Sequence, residues 1–520
     1  MAHTTLKALF ERYRDDSLVQ RSVQYSRWTV ASLMADVERA AFAGTQQNLE
    51  RDFQGMGALL VNNLSAKLAS LLFPSSRPFF KVTLSEELRQ QSEQAGLSPS
   101  EISASLARME MDACQQLFKN ASYNQLVIAL KHLIVTGNVL LYRDSEASKT
   151  VAYGLQSFSA KRDGRGKLQC AVLREYVDVN DLDKKFQEQL LVRHPNLLQT
   201  PDPKPLELYT CIKRVRRGKR SGFEVSQEIE GLPVGKPGYY PEHNCPWHAP
   251  TWNLVAGEHY GRGLVEDFAG DFAKLSELSQ ALTLYEVESM KIVNLVAPGT
   301  GTDIDTLAKS ESGEWVAGTP DSVNFHESGS SQKIQALSAD IDSVFSRLAR
   351  AFMYTANTRD AERVTAYEIR RDALEAENVL GGVYSSLAEG MQVPMAPVLL
   401  LEINPGALQG IITEDVKLDV MAGIPALGRS VDVQNVLAAA QELAAIAPVL
   451  SQVDSRIDMS KLADLVYSGR SVDTTLLFKS DEQMAAEAEA QQAQQTAQTQ
   501  MAGAEAAAAQ TQALQNLQVQ

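Results

Sequence analysis

The sequence predicts a mixed α+β protein, predominantly helical, and three observations carry the prediction. Apolar residues recur at three- and four-residue spacing over long stretches, the mark of helices with one buried face. Between about 150 and 260 this spacing gives way to β-branched and aromatic runs separated by turn signals. From 481 onward the chain is dominated by Ala and Gln, with too little apolar surface to build a core by itself. At 520 residues the chain exceeds what one core holds, so several domains are expected.

Taken in order, "MAHTTLKALFERYRDD" has charges spaced along a helical pattern and no apolar signal core. Residues 53 to 73 set Phe53, Met56, Leu60, Leu64, Leu68 and Leu71 on one helical face. Pro74 stops that helix, and "FFKVTL" reads as a strand. "YNQLVIALKHLIVTGN" is a second helix ending at Gly137-Asn138, and the buried strand "VLLY" follows. In the β-rich block, turns are expected at "KRDGRGK", "RRGKRSG" and "GKPG". A single long helix is expected from Leu264 to about Val293, with Leu264, Phe268, Phe272, Leu275, Leu278, Leu282 and Tyr285 as its apolar stripe. A compact mixed insert, 294 to 330, separates it from a returning helix at about 332 to 353, which carries Ile334, Leu337, Ile341, Val344, Leu348 and Phe352. The expected unit is therefore an antiparallel helix pair with a small head. Residues 430 to 478 read as further helices.

Composition excludes several functions. The formal charge of −15 argues against a protein that grips nucleic acid over its whole surface, which needs clustered Lys and Arg. It leaves room for one past which nucleic acid slides. No run of about 18 uncharged apolar residues predicts a membrane span. Cys114, Cys170, Cys211 and Cys245 are scattered, as befits reduced thiols. No phosphate-cradling G-x-x-x-x-G-K-[ST] loop occurs; "APGTGTD" lacks the lysine. His243, Cys245, His248 and His259 match no closed metal site, and a packed turn around Pro246 and Trp247 accounts for them. The basic run "KRVRRGKR" at 213 to 220 reads as a solvated turn. With no nucleophile elbow, H-E-x-x-H or isolated carboxylate dyad, no enzyme, cofactor or metal is expected.

"NNLSAKLASLLFP" (62 to 74), "ALKHLIVTGNVLLY" (129 to 142), "YPEHNCPWHAPTWNLVAGEHYGRG" (240 to 263), "ERVTAYEI" (362 to 369) and "LGGVYSSLAEGMQVP" (380 to 394), in this order, resemble the portal, or head-to-tail connector, proteins of short-tailed, podovirus-type bacteriophages. The resemblance covers about the first 480 residues and departs in the loops, in 150 to 235 and in the Ala/Gln tail. It implies a portal fold with wing, two-helix stem, small α/β clip and helical crown. Here these would be 1–263 (wing), 264–293 and 332–353 (stem), 294–331 (clip), 354–364 (tunnel loop), 365–429 (long kinked helix and wing remainder), 430–480 (crown) and 481–520 (tail, disordered or a helical barrel).

The same resemblance implies a homo-oligomeric ring, typically of twelve copies, at one capsid vertex of the virion, made in the host bacterial cytoplasm. Double-stranded DNA would pass through it in packaging and ejection. The implied partners are the terminase, then the tail adaptor, with major capsid, scaffolding and internal core proteins. A non-conducting assembly or adaptor scaffold is the alternative. The tunnel loop would present Asn357, Arg359, Asp360, Glu362 and Arg363 to the channel, each repeated as a collar by cyclic symmetry.

After that loop, Thr365 and Glu368 form a capping box. Ile369, Ala373, Ala376, Leu380, Val383, Leu387 and Met391 then keep their spacing through Gly381-Gly382, which predicts a helix continuous across the pair. Two glycines there cost roughly 2 kcal/mol relative to alanine. Either close packing against a neighbouring helix or a functional kink would offset this.

Overall fold

A computed structural model describes residues 5–75, 78–85, 87–88, 90–91, 99–195, 204–218, 220–289, 292–296, 304–311, 315, 323–327, 331–354, 375, 378–406, 411 and 416–420. The chain divides into two compact units, 1–427 and 428–520, and the described residues belong to the first. The predicted crown helices and the Ala/Gln tail lie outside them, as do the capping box and "APGTGTD".

Four helices open the chain: α1 (Leu6–Tyr13), α2 (Asp16–Trp28), α3 (Val37–Ala43) and α4 (Met56–Leu72). Thr5, Asp15 and Asp36 cap the first three, each side-chain oxygen accepting from a first-turn N–H. Leu60, Leu64, Leu68 and Leu71 of α4 are buried, as their spacing predicts. Phe53 is instead exposed, because the helix begins only at Met56. The strand β1 (Phe80–Leu84), helices α5 (Pro99–Gln115) and α6 (Ser122–Thr136), and strands β2 (Leu140–Asp144) and β3 (Lys149–Tyr153) follow. Gly137, at φ +76°, ends α6 in the left-handed conformation that glycine adopts without strain.

The β-rich block is a five-stranded antiparallel sheet in simple order. Its strands are β4 (Phe158–Arg162), β5 (Leu168–Val177), β6 (Leu206–Arg217), β7 (Arg220–Ile229) and β8 (Leu232–Pro241), with α7 (Lys184–Arg193) between β5 and β6. The first two predicted turns occur where expected. "GKPG" does not turn: it lies inside β8 as a bulge, the pairing stepping from Val225–Gly238 to Gln227–Val234. Gly235 bends the strand at φ +68°, and Pro237 is tolerated because β8 is an edge strand. The turn is at Glu230-Gly231, both left-handed (φ +48° and +76°), the backbone that two-residue hairpins require. In the basic run, Arg214 pairs with Glu242 and lies over Phe223, while Arg217 pairs with Glu224 and lies over Tyr239. Those two cations are held by the sheet itself.

Strand β9 (Trp247–His248) joins β2 and β3 in a three-stranded sheet. The predicted long helix is interrupted: α8 (Leu264–Asp267) ends at Phe268, and α9 (Ala269–Ser289) restarts from it. The carbonyl of Phe268 accepts from the N–H groups of Asp271 and Phe272, while its ring meets Phe352 edge-on. Then come β10 (Ile292–Val296), α10 (Ile304–Lys309), β11 (Val323–Glu327) and α11 (Ser331–Ala351). The last described elements are α12 (Val383–Leu387), a π-helical turn (Ala388–Gln392), α13 (Val393–Ile403) and β12 (Val416–Val420), which pairs antiparallel with β1.

The main core gathers α4, α6, the start of α9, the end of α11 and α12–α13 around Leu64, Leu133, Phe272, Leu348, Tyr384 and Leu400. A second apolar cluster joins the five- and three-stranded sheets through Phe158, Leu173 and Trp247. Between β2 and α13 runs a bidentate ion pair: Arg143 Nε and Nη2 donate to the two oxygens of Glu402 at 2.7 and 2.8 Å. Both side chains are almost fully buried (1% and 4% exposed). Ser122 and Thr150 hydroxyls accept from Nη1, so the guanidinium is satisfied on each side.

Candidate functional site

The helix pair and the chain that follows it form the region of interest. α9 and α11 run antiparallel, with Phe272 edge-on to Phe352 at 5.6 Å and Asp271 bridged to Arg347 at 2.7 Å. That bridge is half exposed and adds little; the buried residues Phe272, Leu275, Ile341, Val344, Leu348 and Phe352 hold the pair. Burial fades along α9. Phe272 and Leu275 are sealed, whereas Leu284 and Val287 are 61% and 58% exposed. At the far end β10 and β11 form a two-stranded antiparallel ribbon from Ile292–Glu327 to Val296–Val323, with α10 between them in sequence.

The returning helix ends on Met353, a left-handed residue (φ +53°) whose side chain is buried. Tyr354 N–H reaches back to the carbonyl of Ala349 at 2.8 Å, closing the helix in a form that glycine usually supplies. The expected channel residues Asn357, Arg359, Asp360, Glu362 and Arg363 lie outside the described residues, so no geometry relates them to one another or to the helix pair.

The glycine pair is described, and it corrects the expectation of a continuous helix. Gly381 and Gly382 are both left-handed (φ +61° and +87°), and α12 starts afresh with Gly382 as its cap. The apolar period survived because the turn brings Leu380, Tyr384, Leu387 and Met391 to the same core, with Tyr384 buried where the spacing placed Val383. Close packing is not the reason for glycine: a Cβ built at either position meets nothing within 4 Å. Conformation is the reason, since a left-handed backbone costs other residues roughly 1–2 kcal/mol.

Beyond the turn, Ala388–Gln392 forms a π turn. Pro394 has no N–H to continue the α-helical ladder back to Gly390. The altered phase aims Gln392 at the end of α4, where its amide donates to the carbonyl of Leu72, while Tyr384 OH donates to Leu71 O at 3.4 Å. These carbonyls belong to the last turn of α4 and have no partner within that helix.

Two of the quoted segments meet directly. Asn138 donates to Gly261 O at 2.8 Å and accepts from Gly261 N at 2.7 Å. Gly137 and Gly263 approach so closely that a Cβ on either would lie within 3 Å of the other segment's backbone. "TGN" and "YGRG" are therefore a mutual backbone contact, which explains their residues without chemistry. Among the described residues no group of three or more His, Cys, Asp or Glu is placed to hold an ion. The four cysteines are free and buried. No helix among the described residues is long and apolar enough to cross a membrane.

The described residues thus set an antiparallel helix pair against a ribbon-and-helix insert. Residues 11–477 match the family described as bacteriophage head to tail connecting protein, and the chain belongs to that family. It is 44% identical over 499 residues to the portal protein of Pseudomonas phage phiKMV, covering 96% of each chain. It is 30% identical to that of Enterobacteria phage SP6, over 92% of this chain and 90% of the relative, and 29% identical to that of Escherichia phage T7, over 99% and 95%. Among solved structures, a chain from the neck of an empty GTA particle is similar with a TM-score of 0.36 and 13% identity, over 83% of this chain and 92% of that one.

Proposed function

We propose that the chain is the subunit of a portal ring at one capsid vertex, through which double-stranded DNA enters during packaging and leaves at ejection. The observation that carries the reading is 44% identity to a phage portal protein across nearly the whole of both chains. In this reading 1–263 is the wing, α8–α9 and α11 are the stem, and the insert 294–331 is the clip, which meets the terminase first and the tail adaptor later. The segment 354–364 is the tunnel loop, followed by the remainder of the wing and the crown. The count of twelve copies rests on the family resemblance.

Physical reasons support conduction. A duplex must slide, and many Lys or Arg contacts to phosphate would anchor it; the −15 charge supplies a repelling wall. Collars of Arg359 and Arg363 would give transient contacts. Arg359→Ala particles that package and retain DNA as wild type does would overturn that role.

Negative-stain microscopy of the purified chain tests the reading. Rings with an open axial channel are expected. Solid or non-annular assemblies would overturn it in favour of a non-conducting scaffold.

A further inference from the structure

Two of the four buried thiols are neighbours. Cys170 on β5 and Cys211 on β6 stand 41 residues apart in sequence, yet their sulfurs lie 3.7 Å apart. The strand register explains this. Val172 faces Cys211 and Cys170 faces Lys213, so the two cysteines share one face of the sheet as diagonal neighbours. That face carries α1: Phe10 packs with Cys170, Val172, Tyr209 and Cys211, and Leu6, Leu9 and Tyr13 lie at the border of the cluster.

The surroundings distinguish one sulfur from the other. Cys170 stands in register between two lysines, Lys161 on β4 and Lys213 on β6, and residues directly opposite one another across strands share a face. The hydrogen bond with Cys211 holds the Cys170 thiol below its ordinary value against burial, and the charges of Lys213 and Lys161 act in the same direction. That bond and burial push Cys211 up. A thiol beside cations is the reactive kind, and its neighbour keeps a proton to give. Cys114 and Cys245 are also buried but lack a second thiol, and burial pushes each up to about 12. Access to the pair is governed by α1, which is tied to the sheet by Lys7 to Glu207 at 2.8 Å and by the Leu6 N–H to Glu228 at 3.1 Å. An eight-residue helix held this way opens at lower free energy than the strands beneath it.

We infer that Cys170 and Cys211 are a redox-sensitive modification site: a peroxide oxidises the pair to a disulfide that joins β5 to β6 beneath α1. In the first step the Cys170 thiolate attacks one peroxide oxygen and the O–O bond breaks. Cys170 becomes a sulfenic acid, and the departing hydroxide takes up the proton that Cys170 gave up, leaving as water. In the second step Cys211 gives up its proton and its sulfur attacks that of Cys170. The S–S bond forms, and the hydroxyl departs with that proton as a second water. Two thiols lose two electrons in all, and one peroxide is reduced to two waters. Sulfurs in a disulfide are about 2.05 Å apart, so these two approach by roughly 1.7 Å from their present separation, with a local shift of β5 against β6.

The test is treatment of the purified full chain with hydrogen peroxide, followed by intact mass, thiol titration after denaturation, and peptide mapping without reductant. Expected are the loss of two of the four thiols, a mass lower by two hydrogens, and a linked peptide pair containing Cys170 and Cys211, all reversed by dithiothreitol. The pair should be consumed roughly tenfold faster than Cys114 or Cys245, which serve as controls within the same wild-type molecule. Cys211→Ala should leave Cys170 as a sulfenic acid that dimedone traps, with no disulfide. Retention of all four thiols would overturn the inference, as would a linkage between other cysteines or consumption of all four at one rate. These readouts on the wild-type chain decide the matter even where the variant fails to fold.

Discussion

His132 is a base that the fold keeps from its proton. It sits on α6 at 6% exposure with Nδ1 unpartnered and its ring against Gly154. Burial pushes it down from 6.5 to about 4. Between those values the unfolded chain binds the proton and the folded chain does not, so stability falls as pH drops from about 6.5 toward 4 and is unaffected above 7. The expected loss at pH 5 is about 2 kcal/mol from this residue. Guanidinium unfolding at pH 7 and pH 5 should show it, and His132→Leu should flatten that part of the slope; an unchanged slope would refute the assignment. Arg143 and Glu402 follow a different rule. Buried and mutually satisfied, they add little net stability as a pair, but removing either alone leaves an unpaired charge at a cost of about 3–5 kcal/mol.

At the scale of elements, the glycine pair sets the direction in which the chain enters α12, as Met353 sets the direction in which it leaves α11. Gly381→Ala with Gly382→Ala should destabilise this turn by about 1–2 kcal/mol per site and favour a straight helix. Faster hydrogen exchange in 378–392 is the expected readout, and exchange identical to wild type would mean the left-handed backbone is not needed. Periodicity misled at this point because a tight turn can return the same residues to the same core. "GKPG" misled for a related reason: Gly and Pro punctuate turns, but they also make bulges in edge strands. Where period and stop signal agreed, as in α6 before Gly137 or α11 through Leu348, the elements were legible. Much of the site was not. Arg143 and Glu402 are 259 residues apart, and nothing local in either segment announces the other. The family resemblance was legible because it rests on ordered segments, several of which prove to be backbone contacts such as Asn138 with Gly261.

For the whole molecule, burial among the described residues of the helix pair is concentrated at one end, at Phe272, Leu275, Leu348 and Phe352. Leu284 and Val287 stand exposed on α9, and a face of this kind needs a neighbour. If copies of the chain supply that neighbour, Leu284→Asp with Val287→Asp should leave each subunit folded, since exposed positions seldom change stability by more than about 0.5 kcal/mol. Analytical ultracentrifugation should then find subunits in place of closed assemblies. Wild-type assembly by the double variant would exclude this face from the interface.

The bulge in β8 has its own bearing on how copies meet. A bare sheet edge is a template for any extended strand, and identical chains crowded together carry identical templates. Pro237 withholds an N–H, and Gly235 twists the adjoining backbone out of register with a straight partner. Copies that collide along this edge therefore find no continuous ladder to extend, which disfavours open-ended pairing through it.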